Sequence, residues 1–168
     1  MTTEQTIAPC LWFENEAAEA ASFYTSIFPD SYIVYRATSP VDWPGGKAGD
    51  VILVEFVLAG QRYQALNGGA NEHAKFNESV SLSVTCEDQA EVDRYWDALT
   101  AQGGEPILCG WLKDRYGLRW QIVPRAFVEM MMDRDPTKSR RAMEAMMQMV
   151  KLDVAKLKEA CEGRADHV

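Results

Sequence analysis

The pentapeptide Gly60-Gln61-Arg62-Tyr63-Gln64 returns 57 residues later as Gly117-Leu118-Arg119-Trp120-Gln121. Three of the five positions are identical, and a fourth exchanges one aromatic ring for another. An offset of 72 lays Ala18-Glu19 on Ala90-Glu91, Phe23-Tyr24 on Tyr95-Trp96, Ile27 on Leu99, and Ile7–Phe13 on Ser79–Thr85. A chain that echoes itself in this way is built from two copies of one supersecondary unit. The second copy is 15 residues shorter (72 − 57 = 15), and the Val41–Gly49 loop has no counterpart in it.

The residue pattern gives each copy the same elements. In the first half, Ile7–Phe13 reads as a strand, and Asn15 is placed to cap a helix that Pro29 stops. Strands follow at Tyr32–Thr38, Val51–Leu58 and Gln61–Leu66, the last two joined through Ala59-Gly60 as a hairpin. In the second half Ser79–Cys86 alternates strictly, as a half-buried strand does. Asp88 and Glu91 resemble a capping box, and Val92, Tyr95, Trp96 and Leu99 form an apolar helical stripe. Pro106–Leu112 and Leu118–Val123 read as strands around Asp114–Gly117. Beyond Pro124 the chain turns helical. Met143, Met146, Met147 and Val150 fall on one stripe, and Asp153 is placed to cap a last helix. The expected fold is therefore α+β: paired βαβββ modules at 7–67 and 79–124, C-terminal helices at 125–161, and one domain over 1–168.

Charge narrows the partners. Asp and Glu number 25 against 17 Lys and Arg, a net charge of −8, which disfavours nucleic acid and anionic membranes. No apolar run approaches the ~20 residues of a membrane span, and no export signal is visible, so a cytoplasmic location is expected. None of the four cysteines forms a C-x-x-C pair, and buried free thiols are expected. Cys109 is also a candidate reactive thiol, without a neighbouring cation to activate it. The two histidines, His73 and His167, are too few for a mechanism that needs several.

Ile7–Phe13 with Ala20 and Phe23-Tyr24, then Asn67-Gly68-Gly69, Cys109–Asp114, Gly117 and Trp120–Pro124 resemble the PhnB-like branch of the vicinal oxygen chelate superfamily. That superfamily includes glyoxalase, bleomycin-resistance and dioxygenase proteins, and the branch often carries the label 3-demethylubiquinone-9 3-methyltransferase. The resemblance spans roughly residues 7–161 and implies a glyoxalase-like curved sheet or half-barrel, commonly in a homodimer. An exposed methionine stripe after Pro124 would favour such a dimer. Methyl transfer from S-adenosylmethionine usually rests on a Rossmann-like sheet with a Gly-rich turn after its first strand. Asn67-Gly68-Gly69 follows a hairpin strand instead, so the label reads as a misnomer and no cofactor is expected.

Metal-dependent members take ligands from the first and last strand of each module. The resemblance with the two offsets places those positions at Ile7, Gln64, Ser79 and Gln121. Sliding by two brings in Pro9, Arg62 or Leu66, Ser81, and Arg119 or Val123. None is His, Asp or Glu, and no catalytic metal is expected. The hairpin sets Glu55 beside Gln64 on a face with Val51, Leu53 and Val57. A lone carboxylate among apolar residues is a candidate general base. The alternative is a Glu55 hydrogen-bonded to Gln64 or paired with an arginine. Trp120 is expected in the core, and Trp111 in a cavity wall or a dimer contact. The expected site has Gln64, Gln121 and Glu55 lining one shared concavity, Ser79 or Ser81 at its edge and Trp111 in its wall. Two amides orient a neutral polar ligand without the desolvation penalty of fixed charge. The function expected is small-molecule binding without a metal. The alternatives are a lyase- or isomerase-type enzyme using Glu55 as base, and a structural or regulatory dimer with no ligand.

Overall fold

The computed structural model describes residues 5–164, so His167 lies outside the described residues. The fold falls into two compact units that divide between Lys75 and Phe76.

The first unit runs β1 (Cys10–Phe13), α1 (Ala17–Ile27), β2 (Tyr32–Thr38), β3 (Val51–Leu58) and β4 (Gln61–Asn67), then a 3-10 turn at Glu72–Ala74. The sheet order is β1-β4-β3-β2, with β1 parallel to β4 and the other pairs antiparallel. Ala59 and Gly60 take φ of 46° and 83°. Two successive left-handed residues make the hairpin turn whose twist matches its strands. They fix the expected register, Leu58 opposite Gln61 through Glu55 opposite Gln64. That register sorts the sheet's two faces. Val54, Phe56, Tyr63 and Ala65 lie on the face that α1 covers, where Phe56 stacks on Tyr24 and on Tyr63 with centroids 6.5 and 5.6 Å apart. The helix approaches closely because its inner face carries Ala17, Ala20 and Ala21.

Two expectations change here. The first strand starts at Cys10 rather than Ile7, which is 84% exposed. Pro9, lacking an N–H, contributes only its carbonyl, which accepts from the Gln64 N–H at 2.9 Å. Nor does Asn15 cap α1. The Ala17 N–H donates instead to Oδ1 of Asn67, at the end of β4, at 2.8 Å. Asn67 also donates from Nδ2 to the Val51 carbonyl, and its own carbonyl accepts from the Trp43 indole. Gly68 follows without a side chain because a Cβ there would sit inside the Trp12 ring. Asn67-Gly68-Gly69 thus binds the helix start, β3 and the Val41–Gly49 loop together.

The second unit runs β5 (Ser81–Cys86), α2 (Gln89–Thr100), β6 (Glu105–Pro106), β7 (Trp111–Lys113) and β8 (Arg119–Pro124), then α3 (Arg125–Met131), α4 (Pro136–Met146) and α5 (Val154–Glu162). Its sheet order, β5-β8-β7-β6, repeats the first, with β5 parallel to β8. Asp88 caps α2 through the Glu91 N–H at 2.9 Å, while the Glu91 carboxylate accepts from Glu87 rather than from the cap residue itself. Val92, Tyr95, Trp96 and Leu99 are buried, as their spacing predicts. Trp120 is core, 2% exposed.

Three further expectations change. Ser79 and Val80 precede β5 instead of belonging to it. Pro106–Leu112 is not one strand, because Cys109 and Gly110 both take left-handed φ, 65° and 76°. Their N–H groups donate to the Met149 and Val150 carbonyls at 2.7 and 2.8 Å, so this kink holds the segment after α4. The methionine stripe divides, because α4 ends at Met146. Met143 and Met146, with Met130 and Met149, pack against Phe127, Ala142, Leu152, Leu157 and Cys161. Met147 and Val150 remain exposed.

Strand pairing also corrects the repeat. Cys10 is the partner of Gln64, and Ser83 is the partner of Gln121. With Gln64 on Gln121, the first strands are related by 73 (83 − 10), not 72. The architecture is α+β, two βαβββ modules each with an open four-stranded sheet, followed by helices. Among the described residues no helix is long and apolar enough to cross a membrane.

Candidate functional site

The face of each sheet opposite its helix carries a row of side chains in register. In the first module the row is Cys10, Gln64, Glu55 and Tyr35, one from each strand. In the second it is Ser83, Gln121 and Trp111. The glutamines hold the same position in the two modules; Trp111 is opposite Gln121 in the second, whereas Glu55 stands between Gln64 and Tyr35 in the first.

Glu55 is 5% exposed, and it is not a lone carboxylate. Its Oε1 accepts from Nη2 of Arg62 at 2.6 Å. Arg62 lies diagonally across the hairpin, opposite Val57, and its backbone N–H donates to Oε1 of Gln5 at 2.8 Å. The arginine-paired alternative is therefore the one that forms. Among the described residues the Gln64 side-chain amide makes no hydrogen bond, which leaves its donor and acceptor available. Gln121 donates from Nε2 to Oγ of Ser81 at 2.9 Å, on the same face. Trp111 is half-buried beside it. Ser79 is exposed and stands outside the strand.

The repeat and the hairpin did not reveal Tyr35, Cys10, Ser83 or Arg62 as members or neighbours of these rows. Arg62 was within reach, since it is part of the repeated pentapeptide, whereas the 73-residue relation of Cys10 to Ser83 emerges only from the strand pairing. Tyr35 was not, because β2 shifts register against β3 between Ile33 and Tyr35.

The cysteines divide by face. Cys86 and Cys161 are buried as expected, and burial pushes the Cys86 thiol up to about 12. Cys10 is exposed, contrary to expectation, because Leu11 and Phe13 take the helix-facing positions of β1. Partial desolvation still raises its pKa. Cys109 is half-buried, with Sγ 3.9 Å from the Met147 carbonyl.

The fold implies a divalent metal in some relatives, and the residues here do not fit one. The strand pairs that would supply ligands are Cys10 with Gln64 and Ser83 with Gln121. Amides and a hydroxyl bring no charge to offset ion desolvation, and a thiol with raised pKa is slow to give up its proton. The nearby carboxylate is held by Arg62. Among the described residues no group of three or more His, Cys, Asp or Glu is placed to hold a metal.

The model of a family described as 3-demethylubiquinone-9 3-methyltransferase matches residues 5–123. A Bacillus cereus structure described as a 3-demethylubiquinone-9 3-methyltransferase, PhnB protein, is 36% identical, with a TM-score of 0.64 over 71% of this chain and 99% of that one. A Pseudomonas aeruginosa protein shares the fold at 20% identity and a TM-score of 0.55, over 72% of this chain and 98% of that one. A glyoxylase/bleomycin resistance protein/dioxygenase domain from Frankia is 14% identical, with a TM-score of 0.47 over 72% and 97%. No curated protein matches.

Proposed function

Because the chain belongs to the 3-demethylubiquinone-9 3-methyltransferase (PhnB-like) family of the vicinal oxygen chelate superfamily, we propose that it binds a small polar or partly apolar molecule without a catalytic metal. In each module the ligand-facing surface is the sheet face opposite the helix, which carries Gln64 in the first and Gln121 in the second. The observation that carries this reading is the matched register of the two glutamines on the faces their own helices leave uncovered. An amide supplies one donor pair and one acceptor, enough to orient a ligand without fixed charge. Glu55, held by Arg62, serves this site as a polar contact. Proton abstraction by Glu55 would first require the carboxylate to leave that guanidinium. Ser81 supports the Gln121 amide, Trp111 supplies apolar surface, and Ser79 stands at the margin.

The methyltransferase description serves as a family name only. The two sheets are mixed and four-stranded, and Asn67-Gly68-Gly69 is spent on loop and helix contacts. We further propose a cytoplasmic homodimer. Tyr32, Val34 and Tyr35 on the edge strand β2 and Leu108, Met147 and Val150 in the second unit are exposed apolar surface that a second copy would cover. Light scattering at micromolar concentration is expected to give twice the chain mass, and a monomer mass would reject the dimer.

Thermal-shift screening against small polar metabolites, with S-adenosylmethionine in the panel, tests the binding reading. A ligand that binds only the folded state raises the midpoint, and raises it further as its concentration exceeds its Kd. The expected hits raise it for the natural chain and not for the Gln64→Leu/Gln121→Leu variant, and S-adenosylmethionine does nothing. Equal shifts in both proteins would reject the site, and a shift with S-adenosylmethionine would restore the methyltransferase reading.

A further inference from the structure

One row along from Gln121 and Trp111, on the same face of the second module, β7 and β8 set Lys113 directly opposite Arg119. Like charges directly opposed across a strand pair repel. The arrangement is tolerated because the chain brings carboxylates to it. Glu78, just before β5, accepts from Nε and Nη2 of Arg119 at 2.9 and 2.7 Å. The bond to Arg119 holds the Glu78 carboxyl below its usual range, and the charge of Lys113 adds to the effect. Lys113 reaches Oε1 of Glu105 at 2.8 Å.

The two sides of these pairs are built differently. The Arg119 side chain is 14% exposed and is fixed further by Nη1 donating to the Gly117 carbonyl. The Glu78 and Glu105 side chains are 66% and 65% exposed. The cations therefore sit in a prepared place, and the carboxylates come from solvent, where such pairs hold weakly. A guanidinium fork donates to the carboxylate or phosphate of a ligand through the same charge-assisted hydrogen bonds it gives Glu78. Beside it, the Trp111 indole N–H has no hydrogen-bond partner among the described residues.

We propose that Lys113 and Arg119 are the anion-recognising end of the ligand site. The ligand is a small molecule with a carboxylate or phosphate on a planar body. Trp111 and Gln121 receive that body, and Glu78 is an internal carboxylate that the ligand displaces. This rests on the reading that the Gln121 face binds a small molecule.

Titration of the full chain followed by nitrogen-resolved NMR tests it, with benzoate, phenyl phosphate and benzamide as probes of one ring size. The Trp111 indole signal is identified by its loss in Trp111→Phe. Benzoate or phenyl phosphate is expected to move the Trp111 indole and Gln121 side-chain signals about tenfold more tightly than uncharged benzamide, and less tightly as salt is raised. Whichever of the two binds better identifies the oxyanion. Lys113→Gln lowers their affinity several-fold and leaves that of benzamide unchanged, whereas Glu78→Gln raises their affinity by removing the competing negative charge from the fork. Benzamide binding as tightly as the anions, or anion binding indifferent to both substitutions, overturns the anionic end while the Gln121 face stands as a binding surface. If no probe moves Gln121 or Trp111, both readings fall.

Discussion

A single carboxylate organises the turn on which the second module's last hairpin depends. Asp114 is 1% exposed. Its Oδ1 accepts from the Tyr116 and Leu118 N–H groups at 2.9 and 3.1 Å, and its Oδ2 from the Trp120 indole at 2.8 Å. Asp114→Ala removes the carboxylate that accepts from the buried indole N–H and releases the turn. The loss is expected to be roughly 2–3 kcal/mol in urea denaturation, the usual worth of a buried hydrogen bond to a charged group plus a weakened turn. A change below about 0.5 kcal/mol, ordinary for a surface site, would contradict this account. The positions of the candidate site's residues were legible to different degrees at this scale. Gln64 and Gln121 could be read directly, because one pentapeptide occurs twice. Glu55 beside Gln64 followed from a two-residue hairpin. Its pairing with Arg62 did not, because the choice between the amide and the guanidinium depends on side-chain reach across a diagonal.

Between elements, the local signals carried furthest. The hairpin of β3 and β4, the α2 stripe and the Asp153 cap of α5 each depend on residues within a few positions of one another, and each formed as the sequence implied. The departures involve distant partners. The cap of α1 comes from Asn67, 50 residues away, and the break between β6 and β7 is held by carbonyls of the segment after α4. The repeat offset erred by one residue at β1 and β5, and one residue is enough to exchange the faces of a strand. Ser79 stood in for Ser83 because the anchor at Ile7 lies three residues before Cys10 and the offset was one short, four residues in all. The hairpin turn offers a direct check, since Ala59 holds a left-handed φ of 46°. Ala59→Asn gives the Asn-Gly pair that such turns favour and is expected to stabilise the fold by about 0.5–1 kcal/mol. The readout is the thermal midpoint. A lower midpoint would show that the turn is not of this type in solution.

At the scale of the whole molecule, folding is linked to pH through Cys86. Burial raises its thiol from the ordinary 9.0 to about 12. Between those values the folded chain keeps a proton that the unfolded chain has released. Stability from this group is therefore intact below pH 9.0 and is lost as pH rises toward 12. Urea midpoints are expected to fall between about pH 7.5 and about pH 10.5, and Cys86→Ala is expected to remove part of that fall. An equal fall in both proteins would assign the alkaline instability to other groups. The architecture of two βαβββ modules was legible because a repeat constrains two halves at once. The C-terminal packing was less so, because a methionine stripe read at helical spacing has no way to register that α4 ends at Met146.

The central claim is that a small molecule is held on a sheet face bearing one of the two matched glutamines, Gln64 or Gln121. Native mass spectrometry of the full chain, after incubation with a small-molecule extract of its expression host, tests it most directly when run beside the Gln64→Leu/Gln121→Leu variant. Leucine replaces the amides with side chains of similar shape, so circular dichroism should be unchanged. The account predicts one added mass of a small molecule on the natural chain, without a metal increment, and the bare mass on the variant. The same added mass on both proteins, or a stoichiometric metal on the natural chain, would contradict it.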